Sequence, residues 1–448
     1  MTPAKIISGL FLALFFTVFL FESCDAPVEI NANEVPSWDI PNDLSPNSSE
    51  AAFDKLAWKT FIALNWPVNA SGSGPDTTQT IPQDDNNYKT VWESYTESYD
   101  IYTKGPGNYE PLPSNCPKDT IEKVRNHKQA SKVGIATEFI EAAPSDEAIK
   151  KSPLIDLNSE YVRYEVLYNS IMKDYVDTNK TYNKEGLDNF KLKHKGLDFD
   201  EGSLVVKAAW KVLGKNDKPD DFFTSHSYMV YIQDRDTITT KTPDTPYCSL
   251  DYVGLVGMHI AWKTPDHPNW IWMTFEHKNN DPDSTATLPT SGSYNFYNPN
   301  RDGCGVGCIN KYPDHPAGLD YYTPAVPNQT PSQIARVTPI REDVVTTNSQ
   351  FHSKPLISNS IWKNYNLVGV QWTKAKTPTS SPFVIEPDTF LANTAIETWD
   401  QSTASCMGCH QLNAAHAFLD TTLTADYMWS AFKALNDDPT ENQKGAEN

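Results

Sequence analysis

One short segment near the end of the sequence has residue types and a spacing that could carry chemistry. Cys406-Met407-Gly408-Cys409-His410 reads Cys-x-x-Cys-His, which is typical of covalent haem c attachment. Two thiols at this spacing add to the two vinyl groups of one haem, and the adjacent imidazole then reaches the iron from one face. Random order of this chain's seven cysteines and ten histidines would give only about 0.002 such motifs. The motif therefore predicts one covalent haem c on Cys406 and Cys409, with His410 as the iron ligand.

Two other interpretations of the paired cysteines compete with haem. A thioredoxin-like redox pair needs a following helix within a full sheet, and only 38 residues follow His410. A zinc site needs a second ligand pair nearby; His416 is present, but no cysteine follows it. Neither Cys304 nor Cys308 precedes a histidine at the spacing that haem requires, so the sequence predicts a single haem.

The sixth iron ligand separates electron transfer from catalysis, and the sequence leaves it open. The candidates are His277, Met273, Met258 and His259, or no protein ligand at all. Met428 and His416 are further candidates, but His416 is badly placed because it lies so close to His410 in the sequence. Glu276 and His277 could instead form an acid/base pair for peroxide or oxygen chemistry, although neighbouring strand residues point to opposite faces.

The N-terminus has the features of an exported, lipid-anchored protein. Lys5 precedes an apolar run at 6–21, which fits a secretory signal and is too short for a confident membrane span. The run ends in Phe21-Glu22-Ser23-Cys24, which resembles a bacterial lipoprotein signal. We expect residues 1–23 to be the signal peptide, Cys24 to carry the lipid and residues 24–49 to form a flexible tether. An uncleaved signal anchor is the alternative.

The remaining cysteines are four in number, and an exported protein meets oxidising conditions. Two disulfides among Cys116, Cys248, Cys304 and Cys308 are therefore expected, with the pairing left open. A metal site at Cys304 and Cys308 is the alternative. The formal charge of -20 argues against a nucleic-acid-binding protein, which would need clustered lysines and arginines.

The hydrophobic periodicity predicts helices at both ends of a strand-rich centre. Helical spacing of apolar residues is found at 50–66, 161–175, 395–400 and 425–436. Strand-like patterns are found at 204–212, 226–234, 252–262, 270–277 and 367–372, and the segments 252–262 and 270–277 are expected to form a hairpin. Residues 281–330 look like long loops. We predict an α+β fold: a single body over 50–448, with a helical haem c site at about 392–448.

Several segments resemble a group of bacterial exported proteins known as cytochrome c family proteins. The resemblance lies in Ala57-Trp58-Lys59-Thr60-Phe61-Ile62-Ala63-Leu64-Asn65-Trp66-Pro67, Lys207-Ala208-Ala209-Trp210, Gly257-Met258-His259-Ile260, Trp270-Ile271-Trp272-Met273-Thr274-Phe275-Glu276-His277, and 405–410. These segments span most of the mature chain. The resemblance implies a single-haem exported protein, but it supplies no reaction and no substrate.

Three functions are consistent with these observations. The first is a membrane-tethered monohaem c-type cytochrome that exchanges electrons with a redox partner protein. It would lie in the periplasm or on the outer membrane, and the acidic chain would suit a basic partner. The second is a haem enzyme with an open distal site, of peroxidase or oxygenase type, since about 400 residues exceed what electron transfer needs. The third is a haem-bearing sensor or substrate-binding lipoprotein.

Overall fold

The computed structural model describes residues 36–102, 124–126, 154–232, 246–284, 287–300, 306–311, 330–377, 384–410, 424–428 and 434. The signal peptide and Cys24 lie outside these residues, as do Cys116, Cys304 and His416. Within the described ranges, no helix is both long and apolar enough to cross a membrane.

The described residues form a mixed α+β structure with one eight-stranded sheet. The strands are β1 (Thr96–Glu97), β2 (Val124–Asn126), β3 (Arg163–Tyr168), β4 (Leu204–Val212), β5 (Thr224–Ile232), β6 (Pro246–Thr264), β7 (His267–His277) and β8 (Tyr365–Gln371). The α-helices are α1 (Glu50–Leu64), α2 (Ser98–Tyr102), α3 (Ser170–Asn179), α4 (Lys184–Lys191), α5 (Glu342–His352), α6 (Pro355–Ser358) and α7 (Cys406–Cys409).

Strand β6 is the centre of the sheet because it is long enough to pair with three strands. One of its edges pairs with β4; the other pairs with β5 along its first half and with β7 along its second half. Strands β1, β3, β4, β6, β7 and β8 follow one another in antiparallel order, while β2 joins β5 in parallel. The predicted hairpin at 252–277 is confirmed as β6 and β7, and the strands predicted at 204, 226 and 367 are confirmed as β4, β5 and β8.

Helix α1 covers one face of the sheet, as its sequence pattern predicts. Ser49 caps the helix, since its hydroxyl accepts a hydrogen bond from the N–H of Ala52 at 3.3 Å. The Phe61 ring stacks on Phe275 of β7, with ring centroids 4.1 Å apart. Odd-numbered β7 residues, including Met273, therefore lie in a core between the sheet and α1.

The folded body begins before α1, within the segment predicted to be a tether. Leu44 is buried in the core under α1, and the Asp43 carboxylate lies 3.0 Å from Nδ1 of His267. The backbone carbonyl of Pro46 accepts a hydrogen bond from the Trp372 indole at 3.2 Å. Residues 43–49 thus pack on the body, which shortens the stretch that could act as a tether.

The helix predicted at 161–175 is wrong in its first half. Residues 163–168 form strand β3, and the helix begins only at Ser170, after the N-cap Asn169. Strand β3 is buried on both faces, so its apolar residues do not alternate, and their spacing resembles that of a helix.

The helices predicted around the motif are also wrong in the described residues. Residues 394–399 form irregular turns. Asp426 and Tyr427 have left-handed backbone angles, with φ of 46° and 68°, so the helix predicted at 425–436 does not begin there. The described C-terminal region is thus irregular chain laid over the sheet, with the one-turn helix α7 as its regular element.

Candidate functional site

Helix α7 is a single helical turn that holds the two motif cysteines. The Ser405 hydroxyl caps it by accepting the N–H of Gly408 at 3.0 Å. Glycine is needed at 408, because a Cβ there would lie 2.8 Å from the Cβ of Ser405. The backbone N–H groups of Cys409 and His410 donate to the carbonyls of Ser405 and Cys406 at 2.9 and 2.8 Å. Both thiols are therefore presented from one turn with His410 directly after it.

The turn is fixed to the sheet by Gln371 at the end of β8 and by Met407. The Gln371 side-chain oxygen accepts from the Ser405 hydroxyl and from the N–H of Met407, both at 3.3 Å. Met407 is fully buried in an apolar cluster that also contains Trp272 and Tyr427. This cluster lies on the face of the sheet opposite α1, because it takes the even-numbered residues of β7.

The motif cysteines are reduced thiols of different exposure. Cys406 is half-buried and Cys409 is exposed, and neither forms a disulfide. Burial raises the pKa of the Cys406 thiol well above its ordinary value, so it is a neutral S–H group at pH 7. Cys308, in contrast, is disulfide-bonded. The expected pairing among Cys116, Cys248, Cys304 and Cys308 stays a prediction.

The imidazole of His410 is held in one tautomer by a backbone carbonyl. Its Nδ1 lies 2.8 Å from the carbonyl oxygen of Tyr427, and since a carbonyl only accepts, Nδ1 must carry the proton. Burial lowers the pKa of His410 to about 4, which makes the ring neutral at pH 7. Nε2 then carries the lone pair that can bind a metal. The ring packs against Trp272, with centroids 4.7 Å apart.

The Tyr427 carbonyl is itself fixed by a buried anchor at the preceding residue. The Asp426 carboxylate accepts from Lys263 Nζ at 2.7 Å, from the N–H of Phe199 at 2.8 Å and from the Trp270 indole at 3.3 Å. The Tyr427 hydroxyl donates to the Asn269 side chain. These bonds hold two residues in left-handed backbone angles, which non-glycine residues seldom adopt.

These residues match the donor set that haem c requires. Two reduced thiols lie on one turn, and the next residue is a neutral imidazole with Nε2 unprotonated. Its other nitrogen donates to a carbonyl, which is the usual orientation of a metal-binding histidine. No three His, Cys, Asp or Glu side chains come together to hold a metal ion by themselves, within the part of the chain described here.

Three of the four named candidates for a sixth ligand lie away from His410. Met258 and Met273 are buried in the core under α1, on the opposite face of the sheet. His277 is buried and uses both ring nitrogens: Nε2 lies 2.9 Å from the Asp221 carbonyl, and Nδ1 accepts from the N–H of Asn279 at 3.2 Å. Burial lowers its pKa to about 4. These three side chains serve the fold.

The fourth named candidate, His259, shares the face of the sheet that carries the motif. It pairs directly with Lys207 of β4 and with Thr274 of β7. Its Nε2 lies 3.3 Å from the Glu397 carboxylate, which comes from the chain just before α7. His259 is 16% exposed and Glu397 23%. The structure thus brings three charged or titratable groups, Lys207, His259 and Glu397, to the sheet beside the motif.

The remaining sequence candidates are also placed. Met428 directly follows Tyr427, whose carbonyl faces Nδ1 of His410. The Met428 backbone therefore lies on the side of the His410 ring that is away from Nε2. Glu276 forms a buried ion pair with Arg336 and accepts from Thr394 at 3.2 Å, so it is not partnered with His277.

Sequence reasoning missed the groups that orient the motif. A backbone carbonyl such as that of Tyr427 has no residue-type signal. Asp426 and Lys263 are distant in sequence and meet only in the fold. Comparisons of the chain with protein-family models, with curated proteins and with solved structures found no match.

Proposed function

We propose that this chain is an exported, membrane-tethered monohaem c-type cytochrome that carries electrons in the bacterial cell envelope. The observation that carries the proposal is the Cys-x-x-Cys-His turn, with two reduced thiols and a His410 whose Nδ1 is bonded to the Tyr427 carbonyl. The resemblance to exported cytochrome c family proteins is consistent with it.

Each residue of the motif has a distinct part in this proposal. Cys406 and Cys409 would hold the haem, because each S–H can add across one vinyl group, with sulfur on one carbon and hydrogen on its neighbour. His410 would offer its Nε2 lone pair to the iron, while the Tyr427 carbonyl keeps the ring oriented and more basic. The bound haem supplies an iron that takes up and releases one electron.

The envelope location and the partner belong to the same proposal. A lipid on Cys24 would hold the body at a membrane surface, and the residues before 43 would give it reach. The chain has 57 acidic against 37 basic residues, so its long-range field favours a positively charged redox partner.

A second candidate function is a haem enzyme with an open iron position. The observation that favours it is the cluster of Lys207, His259 and Glu397, because groups that carry protons next to a haem suit peroxide or oxygen chemistry. Carbon monoxide distinguishes the two functions, since it binds reduced haem only at an open position.

The experiment that tests the proposal is expression of the full chain with a haem c attachment system. Covalent haem is read by its stain on a denaturing gel and by the mass of the chain. We expect one haem in the wild type and none in the Cys406→Ser/Cys409→Ser double variant.

A matched control, Cys24→Ser, should keep the haem and lose the lipid. His410→Ala should impair attachment and alter the spectrum of any haem that remains. Wild-type protein without covalent haem, or an unchanged His410→Ala spectrum, would refute the assignment.

A further inference from the structure

We propose that Asp43 is a positioning residue for His410 and acts through the turn between β6 and β7. Asp43 belongs to residues 43–49, called the strap below, which pack on the body just before α1. This inference rests on the proposed haem c site, because it concerns how the histidine of that site is held. Three sets of contacts carry it: those of the strap, those of the His410 ring, and those of the turn between them.

The strap holds the β6–β7 turn through the Asp43 carboxylate. One oxygen lies 3.0 Å from Nδ1 of His267, and the other accepts the backbone N–H of Asp266 at 2.9 Å. Burial opposes ionisation of Asp43, but these hydrogen bonds outweigh it and keep the pKa of the carboxyl below its ordinary value. The buried His267 ring packs against Phe53 of α1, with centroids 5.4 Å apart. Asp43 is thus a charged acceptor for two donors of the turn, on the α1 face of the sheet.

The strap makes a second contact at the end of β8. The Pro46 carbonyl accepts from the Trp372 indole at 3.2 Å, and Trp372 is buried in the core under α1. Trp372 directly follows Gln371, so their side chains point to opposite faces of the sheet. The Gln371 side chain holds the motif turn through Ser405 and Met407. The strap and the motif turn therefore lie back to back across the end of β8.

Asn269 lies on the motif side of the β6–β7 turn, two residues after His267. Its side-chain oxygen accepts from the Tyr427 hydroxyl, and its backbone carbonyl accepts from the Trp272 indole at 3.2 Å. Both of these residues contact His410: Tyr427 through its carbonyl at Nδ1, and Trp272 through its ring. Asn269 thus supports two residues that fix the orientation of the His410 ring.

The turn that joins these two sides has a strained backbone. The fully buried Trp270 has a left-handed φ of 68°, which a non-glycine residue keeps only where the surrounding contacts hold it. On the motif face, Lys263 and Trp270 both donate to the Asp426 carboxylate. On the α1 face, Asp43 holds the turn. Loss of the Asp43 contacts would let the turn relax, and this would move Asn269 and with it the supports of His410.

The test uses the full chain before haem is attached, with hydrogen exchange measured by mass spectrometry. Asp43→Ala removes the acceptor of two hydrogen bonds. We expect amide exchange at 405–410 and 424–428 to become about tenfold faster, with exchange in β3 unchanged. The matched control Asp39→Ala, an exposed residue before the strap, should exchange like the wild type. Asp43→Asn keeps one acceptor oxygen and should recover part of the protection.

The His410 ring gives a second readout, which a general loss of stability would not change. Proton–nitrogen correlation spectra of the histidine rings distinguish the two tautomers, and His410→Ala identifies the signal of this ring. We expect the Nδ1-protonated tautomer alone in the wild type. Asp43→Ala should show a mixture of both tautomers, because the Tyr427 carbonyl is no longer held at Nδ1.

Two results would overturn the inference: motif segments that exchange at the wild-type rate in Asp43→Ala, or a His410 ring that keeps a single tautomer in that variant. Faster exchange in β3 as well would also count against it, because that is a general loss of stability. If Asp43→Ala does not accumulate, Asp43→Asn replaces it, and wild-type exchange in both motif segments contradicts the inference.

Covalent haem is measured separately, on the gel. A wild-type protein without haem refutes the proposed function, whereas the exchange and ring measurements on the haem-free chain still decide whether Asp43 positions His410. The two failures are therefore distinguishable.

Discussion

The Nδ1 of His410 donates a hydrogen bond of 2.8 Å to the carbonyl oxygen of Tyr427, which lies 17 residues further along the chain. This bond selects the tautomer that exposes the Nε2 lone pair. It depends in turn on Asp426, because the buried carboxylate holds the left-handed backbone that aims the Tyr427 carbonyl.

The first prediction concerns this anchor. Lys263 Nζ contacts two carboxylates at nearly equal distance, the buried Asp426 at 2.7 Å and the 77% exposed Asp198 at 2.6 Å. Asp426→Ala should lower the free energy of unfolding by about 3–5 kcal/mol, because it leaves a buried ammonium group without its buried partner. Asp198→Ala is the matched control and should cost less than about 1 kcal/mol. Urea unfolding of both variants measures the difference, and equal losses would contradict the anchor role.

The second prediction concerns the one-turn helix α7. Ser405→Ala removes the hydroxyl that caps Gly408, a loss of about 1 kcal/mol in the stability of that turn. The turn sets the spacing of the two thiols before they react, so the yield of covalent haem should fall. The measurement is the ratio of haem to protein when the attachment system is limiting. Ser402→Ala, an exposed neighbour, should keep the wild-type ratio, and Ser405→Thr should recover most of it. Equal ratios for the two alanine variants would rule out a role for the cap.

The third prediction concerns the two methionines of the central hairpin. Met258 and Met273 are about 1% exposed in the core under α1, so replacing either with Leu keeps the core filled. We expect each variant to lose less than about 1.5 kcal/mol of stability and to keep the wild-type haem spectrum. Redox titration followed by optical spectra checks this. A change of iron ligation in either variant would show that our assignment of the faces is wrong.

Local sequence pattern explains which parts of the fold could be predicted. The apolar spacing of α1, with Ser49 as its cap, is a property of 15 consecutive residues, and the hairpin β6–β7 is likewise local. Strand β3 has the apolar spacing of a helix because it is buried on both faces and so lacks alternation. The spacing of apolar residues in a segment does not show which other helices and strands will pack on it.

The candidate site also has a part that the local sequence predicts and a part that only the fold shows. The motif turn is local, and its residues were predicted from spacing alone. Met273 and Phe275 lie on one side of β7, as strand alternation requires, but the sequence could not show that Phe61 of α1 covers that side. The contact between His259 and Glu397 spans 138 residues of sequence, so it too is visible only in the fold.

The last prediction concerns His277, whose environment gives stability a pH dependence. Its folded-state pKa, about 4, lies below the usual value of 6.5, because burial disfavours the charged ring. The unfolded chain therefore binds more protons between these values, so this contribution is complete above pH 6.5 and is lost as the pH falls towards 4. The loss is on the order of 3 kcal/mol. His277→Gln removes the titrating group. We expect the difference in unfolding free energy between wild type and variant to shrink by that order between pH 7.5 and 4.5, while the haem spectrum at pH 7.5 stays the same. A pH-independent difference would mean that folding does not lower the pKa of His277, and a changed spectrum would mean that His277 reaches the iron.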